Sequence, residues 1–219
     1  MNGALAGLVI LVLGDSHMAA RELLITTLHD SLEADGATVH SYGMCGADAD
    51  VWINPTNVTC GRAERHDKDA PIVDHSGKPT ITWSINDLLT KHHPNMVIVE
   101  LGDALAGYGA PQMAKPWIYD QVHALAGRIA AAGASCAWVG PAWGAANSSY
   151  FKSDARVREI SDFLSQSAAP CVFIDSTHFS HPGEWPTTDG QHLTVAGYRA
   201  WGADIANAVV QLKTQNRLH

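Results

Sequence analysis

The sequence has no long hydrophobic run, no basic cluster and no closely spaced pair of cysteines, and each absence excludes a class of function. Its longest apolar stretch, residues 4–13, falls well short of the ~20 residues that a membrane-spanning helix needs, so the chain is not expected to insert into a bilayer. Lys and Arg number 14 against 22 Asp and Glu, a formal net charge of −8. Without a basic stripe there is nothing to neutralise phosphates, and nucleic acid is not an expected partner. No Cys-x-x-Cys spacing occurs. Of the twelve histidines, His92 and His93 are adjacent and His178 and His181 are three apart. None has an acidic or thiol companion at ligand spacing, so no metal is expected, and nothing signals a cofactor.

What is present suits a folded catalyst. With 219 residues, 46% of them hydrophobic, the chain can bury a full core and is read as one domain over residues 1–219. Residues 8–13 follow no positive charge and precede no small-residue cleavage site, unlike a signal peptide, and run directly into Gly14-Asp15-Ser16-His17. They read as a buried strand. Similar runs at 38–42, 96–101, 135–139 and 171–174 end at Gly, Asp or Pro. Helical stretches at 18–34, 117–132, 154–167 and 194–212 alternate with them, the last with Thr194 as N-cap. The expected architecture is α/β, with a five-stranded parallel sheet between two helical layers. Residues 47–80 break the rhythm and read as a long loop excursion, a candidate lid or substrate-binding wall. Cys45 and Cys60 flank a Gly/Asp/Asn-rich loop that a disulfide would pin. Cys136 and Cys171 lie in strand-like segments, as a second bridge or as buried thiols. An even cysteine count points to an oxidising compartment.

In open α/β sheets the ligand lies beyond the carboxyl ends of the strands. Ser16, in the turn after the first strand, is there a candidate nucleophile or a simple helix cap. His192 lies in a loop at the same end and would take the serine proton. Asp189, three residues earlier, would fix the imidazole tautomer, with Glu184 and Asp175 as alternative carboxylates.

These residues together resemble the SGNH/GDSL hydrolase family. Gly14-Asp15-Ser16 resembles its nucleophile block, Gly46 its second-block glycine and Asp189-Gly190-Gln191-His192 its closing Asp-x-x-His. The resemblance spans nearly the whole chain and implies a flavodoxin-like three-layer fold and a serine esterase mechanism, with the amides of Ser16 and Gly46 in the oxyanion hole. The third block departs: Gly102-Asp103-Ala104-Leu105 has Ala104 where the family has asparagine, which removes one oxyanion donor and leaves Asp103 as a candidate for a substrate hydroxyl or a cap. Divergent branches act on acyl groups, often acetyl, of bacterial polysaccharides and peptidoglycan. The resemblance therefore implies an O-acyl esterase or acyltransferase, an acylated or acceptor carbohydrate as partner, and a periplasmic or secreted protein whose export signal is absent from this sequence. Trp143 and Trp185 are the candidate sugar-stacking residues. A non-catalytic saccharide-binding module and a lipase or thioesterase are the alternatives.

Overall fold

In a computed structural model, residues 3–74, 79–145 and 148–217 are described. They run β1 (Val9–Gly14), α1 (Leu24–Ala34), β2 (Thr38–Met44), α2 (Ala49–Ile53), β3 (Asn57–Val58), β4 (Arg62–His66), β5 (Ile72–Asp74), β6 (Thr80–Ile81), α3 (Ile85–His92), β7 (Met96–Glu100), α4 (Gly102–Ala106), α5 (Lys115–Ala131), β8 (Ser135–Val139), α6 (Asp154–Ser167), β9 (Val172–Ile174) and α7 (Val195–Thr214). Short 3-10 turns lie at Ser16–Met18 and Ser176–His178.

The five apolar runs form adjacent parallel strands, β2-β1-β7-β8-β9. Both sheet faces are covered, which is why β1, β7 and β8 are nearly continuous hydrophobic runs; β2, next to the antiparallel β4, also carries Thr38, His40 and Ser41. Successive side chains point to opposite faces. Ile10 and Val12 pack with Leu24, Leu28, Trp201 and Ile205 from α1 and α7. Leu11 and Leu13 pack with Trp52, Leu88, Val122 and Ile160 from α2, α3, α5 and α6. Each such fully buried aliphatic side chain contributes about 1.5–3 kcal/mol.

The sheet has seven strands, not five, and is not wholly parallel. Inside the stretch expected to be a loop, β4 pairs antiparallel with β2, and β5 antiparallel with β4. Arg-Ala-Glu-Arg-His offers one small apolar residue, Ala63, so β4 has no hydrophobic signature; polar anchors hold it instead. Arg65 donates to Asp30 and to the carbonyls of Thr26 and Asp69, while His29 bonds Ser41 and the Asp67 carbonyl. Within the same stretch β3 and β6 form a separate small pair, and residues 75–78 lie outside the described ones.

The helix expected from residue 18 begins at Leu24. Glu22 takes φ 68°, a left-handed conformation that interrupts helical hydrogen bonding, so Ser16 opens a single 3-10 turn rather than a long helix. Thr194 does cap α7, its hydroxyl accepting from the Gly197 amide. Disulfides join Cys45 to Cys60 and Cys136 to Cys171, so the buried-thiol alternative for the second pair does not hold. Among the described residues no helix is long and apolar enough to cross a membrane.

At two points near the carboxyl ends of the strands, Gly43 within β2 and Gly102 after β7, backbone packs on backbone through glycine. A Cβ on Gly43 would lie 2.2 Å from the Met18 carbonyl, and one on Gly102 2.3 Å from the Pro141 nitrogen. The first contact seats the turn after β1 on the end of β2, and the second seats the segment after β7 on the loop after β8.

Candidate active site

The turn after β1 is built by Asp15, whose buried carboxylate accepts from the His17 amide at 2.9 Å and from the Ala104 amide at 3.2 Å. These bonds fold the acid inward. Ser16 faces outward, its hydroxyl 2.8 Å from His192 Nε2. On the other side of the ring, Nδ1 lies 2.7 Å from Asp189. Asp189 also accepts from the amides of Gln191 and His192 at 2.9 and 2.8 Å. Partial burial opposes ionisation of Asp189, but the hydrogen bonds from the His192 amide and ring and from the Gln191 amide outweigh it and lower its pKa. An ionised Asp189 places the proton on Nδ1 and leaves Nε2 to accept from the Ser16 hydroxyl. The alternative carboxylates are engaged elsewhere: Asp175 accepts from the Thr177 amide and hydroxyl, Glu184 from the His181 amide.

A second polar network lies beneath. Asp103 accepts from His17 Nε2 and Lys152 Nζ, each at 2.7 Å, and from the Tyr108 hydroxyl. His17 Nδ1 lies 2.7 Å from the Tyr198 hydroxyl. Burial disfavours a charged Asp103, but the Lys152 ammonium and the His17 hydrogen bond prevail and hold its carboxyl below the usual range. Asp103 is thus fully engaged by protein donors, and it caps nothing: its segment, α4, has no side-chain cap. Nearby Glu100 is the converse. Among the described residues neither of its buried carboxyl oxygens has a hydrogen-bond partner of ordinary geometry; burial, reinforced by Asp15 and Asp103, outweighs the nearby Asp15 amide and Lys152 and raises its pKa well above the ordinary value.

Ser16 and His192 open on a cavity of about 750 Å³, a size typical of small-ligand sites. Its walls include Ala19, Ala20, Leu23, Leu193 and Val195 on one side and Gly46 with the Cys45–Cys60 bridge on another. Gly46 has φ 73°, which suits glycine. Ala104 also lines the cavity, but its amide is committed to Asp15.

The candidate stacking residues are not cavity-lining. Trp143 is buried, its indole N–H donating to the Ser180 and Thr177 carbonyls at 2.9 and 3.1 Å, and Trp185 is partly buried against the core. Both belong to loops at the correct end of the sheet, but packing against the protein occupies their rings. The aromatic side chain at the cavity is Tyr150, half-exposed and edge-on to His192 at 5.4 Å between ring centroids. Sequence reasoning missed Tyr150, His17, Tyr108 and Lys152. They come from three separate segments, the turn after β1, the stretch after α4 and the loop before α6, and form no motif that would reveal them.

No protein-family model matches the chain. Over 211 residues, 96% of its length, it is 41% identical to protein BcsX of Komagataeibacter xylinus, of which it covers 79%. Among solved structures, it is similar to a peptidoglycan O-acetylesterase, with a TM-score of 0.63 at 11% identity over 98% of this chain and 93% of the other. It also resembles esterase EstA from Pseudoalteromonas sp., with a TM-score of 0.58 at 15% identity over 95% and 98%. A GDSL-like lipase from Bacteroides thetaiotaomicron gives 0.58 at 13% over 93% and 88%. At these identities the likeness is one of fold, the three-layer arrangement of SGNH hydrolases.

Proposed function

The chain belongs to the family of protein BcsX and has the SGNH-hydrolase fold, and on that premise we propose that it is a serine-dependent O-acyl esterase or acyltransferase whose substrate is an acylated carbohydrate. The observation that carries this reading is the hydrogen-bonded series Ser16–His192–Asp189, with its serine end open to the cavity.

In this mechanism Ser16 Oγ attacks the ester carbonyl carbon while His192 Nε2 takes the hydroxyl proton, and Asp189 stabilises the resulting imidazolium. The amides of Ser16 and Gly46 receive the oxyanion. As the tetrahedral intermediate collapses, the bond to the sugar oxygen breaks and His192 returns its proton to that oxygen. Water, or an acceptor hydroxyl in a transferase, then attacks the acyl-serine with His192 as base. With Ala104 supplying no side-chain donor, two amides carry the stabilisation; loss of one such donor costs ~10²–10³ in rate, so slow turnover is expected.

The carbohydrate is supported by the fold likeness to a peptidoglycan O-acetylesterase. Two disulfides support an oxidising location, the periplasm or the exterior. A lipase or thioesterase reading has one observation in its favour, the apolar wall of Ala19, Ala20, Leu23, Leu193 and Val195. Hydrolysis of 4-nitrophenyl esters of increasing chain length by the wild type and Ser16→Ala, with intact mass followed, tests both. A Ser16-dependent acetyl adduct and a preference for short chains support the carbohydrate esterase. Preference for long chains favours the lipase, and equal activity of the wild type and Ser16→Ala with every ester, with no Ser16-dependent adduct, overturns serine catalysis.

A further inference from the structure

Away from this cavity, three histidines from three elements converge. His40 on β2 lies four residues before the end of its strand, so about 13 Å of strand separates it from the cavity end at ~3.3 Å per residue. Its antiparallel partner is His66 on β4, and their Nδ1 atoms are 3.4 Å apart. His92, at the end of α3, stacks on His40 with ring centroids 4.0 Å apart. One ring nitrogen of each lies within 4.8 Å of the other two. Two nitrogens bound tetrahedrally to one ion at ~2.0–2.1 Å would be about 3.4 Å apart, which is the His40–His66 separation.

The surrounding groups fit ligation. His66 Nε2 lies 3.1 Å from Glu64, a carboxylate partner that holds the proton on Nε2 and turns the Nδ1 lone pair toward the cluster. His92 Nε2 lies 2.8 Å from the Tyr42 hydroxyl. Lys91, 3.3 Å from the Tyr42 hydroxyl, opposes a cation, and Glu64 and Asp67 offset it. Without an ion, His40 and His66 would share one proton between their Nδ1 atoms; a bound ion would take a lone pair from each.

We propose that His40, His66 and His92 bind one divalent transition-metal ion of the imidazole-preferring class, such as Zn²⁺, fastening β4 and α3 to β2 with water completing the coordination. The ligands come from elements far apart in sequence, and for that reason ligand spacing does not reveal them.

The test uses tag-free protein stripped with chelator, dialysed against Zn²⁺ and analysed for bound metal, with far-UV circular dichroism as the fold control. The expected result is one Zn²⁺ per chain, a rise in melting temperature on binding, and loss of stoichiometric binding in His40→Ala/His66→Ala. Should that double variant not fold, two others decide. Glu64→Gln is expected to weaken binding ~10-fold or more, and Lys91→Met to tighten it. Absence of Zn²⁺ binding by the wild type, unchanged binding by a folded double variant, or unchanged affinity in both Glu64→Gln and Lys91→Met overturns the proposal.

Discussion

Two histidine–carboxylate pairs lie side by side, the His17 and His192 ring centroids 5.0 Å apart, and their surroundings give them opposite work. The side chains of His17 and Asp103 are each 1% exposed, both imidazole nitrogens are taken, and Asp103 receives two further donors. His192 and Asp189 are 19% and 30% exposed, and the free nitrogen of His192 meets a hydroxyl that faces the cavity. A fully engaged pair is framework. A pair with one nitrogen left to a cavity-facing serine has the arrangement needed for proton transfer.

The sharpest way to break this comparison is Ser16→Ala. It is expected to lower 4-nitrophenyl acetate turnover by ~10⁴-fold or more with little change in melting temperature; retained turnover would show that the open pair is not the engine. Asp189→Asn should cost about 10²–10⁴-fold in kcat, since the amide cannot hold the Nδ1–H tautomer as a carboxylate does. In the buried pair, Asp103→Asn strips Lys152 of its anion. Urea unfolding should show a loss of ~3–5 kcal/mol, while the rate per folded molecule falls far less than in Ser16→Ala.

The smallest effect separates Asp103 from Glu100 by pH. Asp103 has a lowered folded pKa, so its stabilisation is present above the unfolded value of ~3.9 and is lost as pH falls through the folded one. Glu100 has a raised folded pKa, so its contribution is complete below about 4.3 and declines as pH rises towards the folded value, by up to ~1.4 kcal/mol per pH unit. Between pH 5 and 7, wild-type stability should therefore decline relative to that of Glu100→Gln. Parallel melting profiles would show that Glu100 is ionised in the fold.

The same contrast between open and buried explains what the sequence disclosed. The five parallel strands were legible because each is an apolar run ended by a turn residue, and α6 because Ser153 caps an amphipathic stretch. Strands β4 and β5 were not, since β4 is held largely by arginine and histidine anchors around a single buried Ala63, and β5 offers only Ile72 and Val73, too short an apolar run to stand out. Helix α3 was too short to register, although Ile85, Leu88 and Leu89 mark its buried face. At the candidate site, Ser16, Asp189 and His192 stood out because each sits in a short motif at a strand or loop end. Asp103 was visible as a residue, but its partners were not: His17 follows β1, Tyr108 follows α4 and Lys152 precedes α6, and only the folded chain unites them.

The glycine contacts at Gly43 and Gly102 have a consequence for how variation in this chain should be read. A Cβ at either would lie 2.2–2.3 Å from a backbone atom of the facing segment, so a side chain there would push apart the segments that present Ser16 and Asp103. In a saturation screen scored by activity, both positions would rank with Ser16 as intolerant, although neither carries a functional group. Intolerance in this protein thus has two sources, chemistry and clearance, and a second score for abundance would tell them apart.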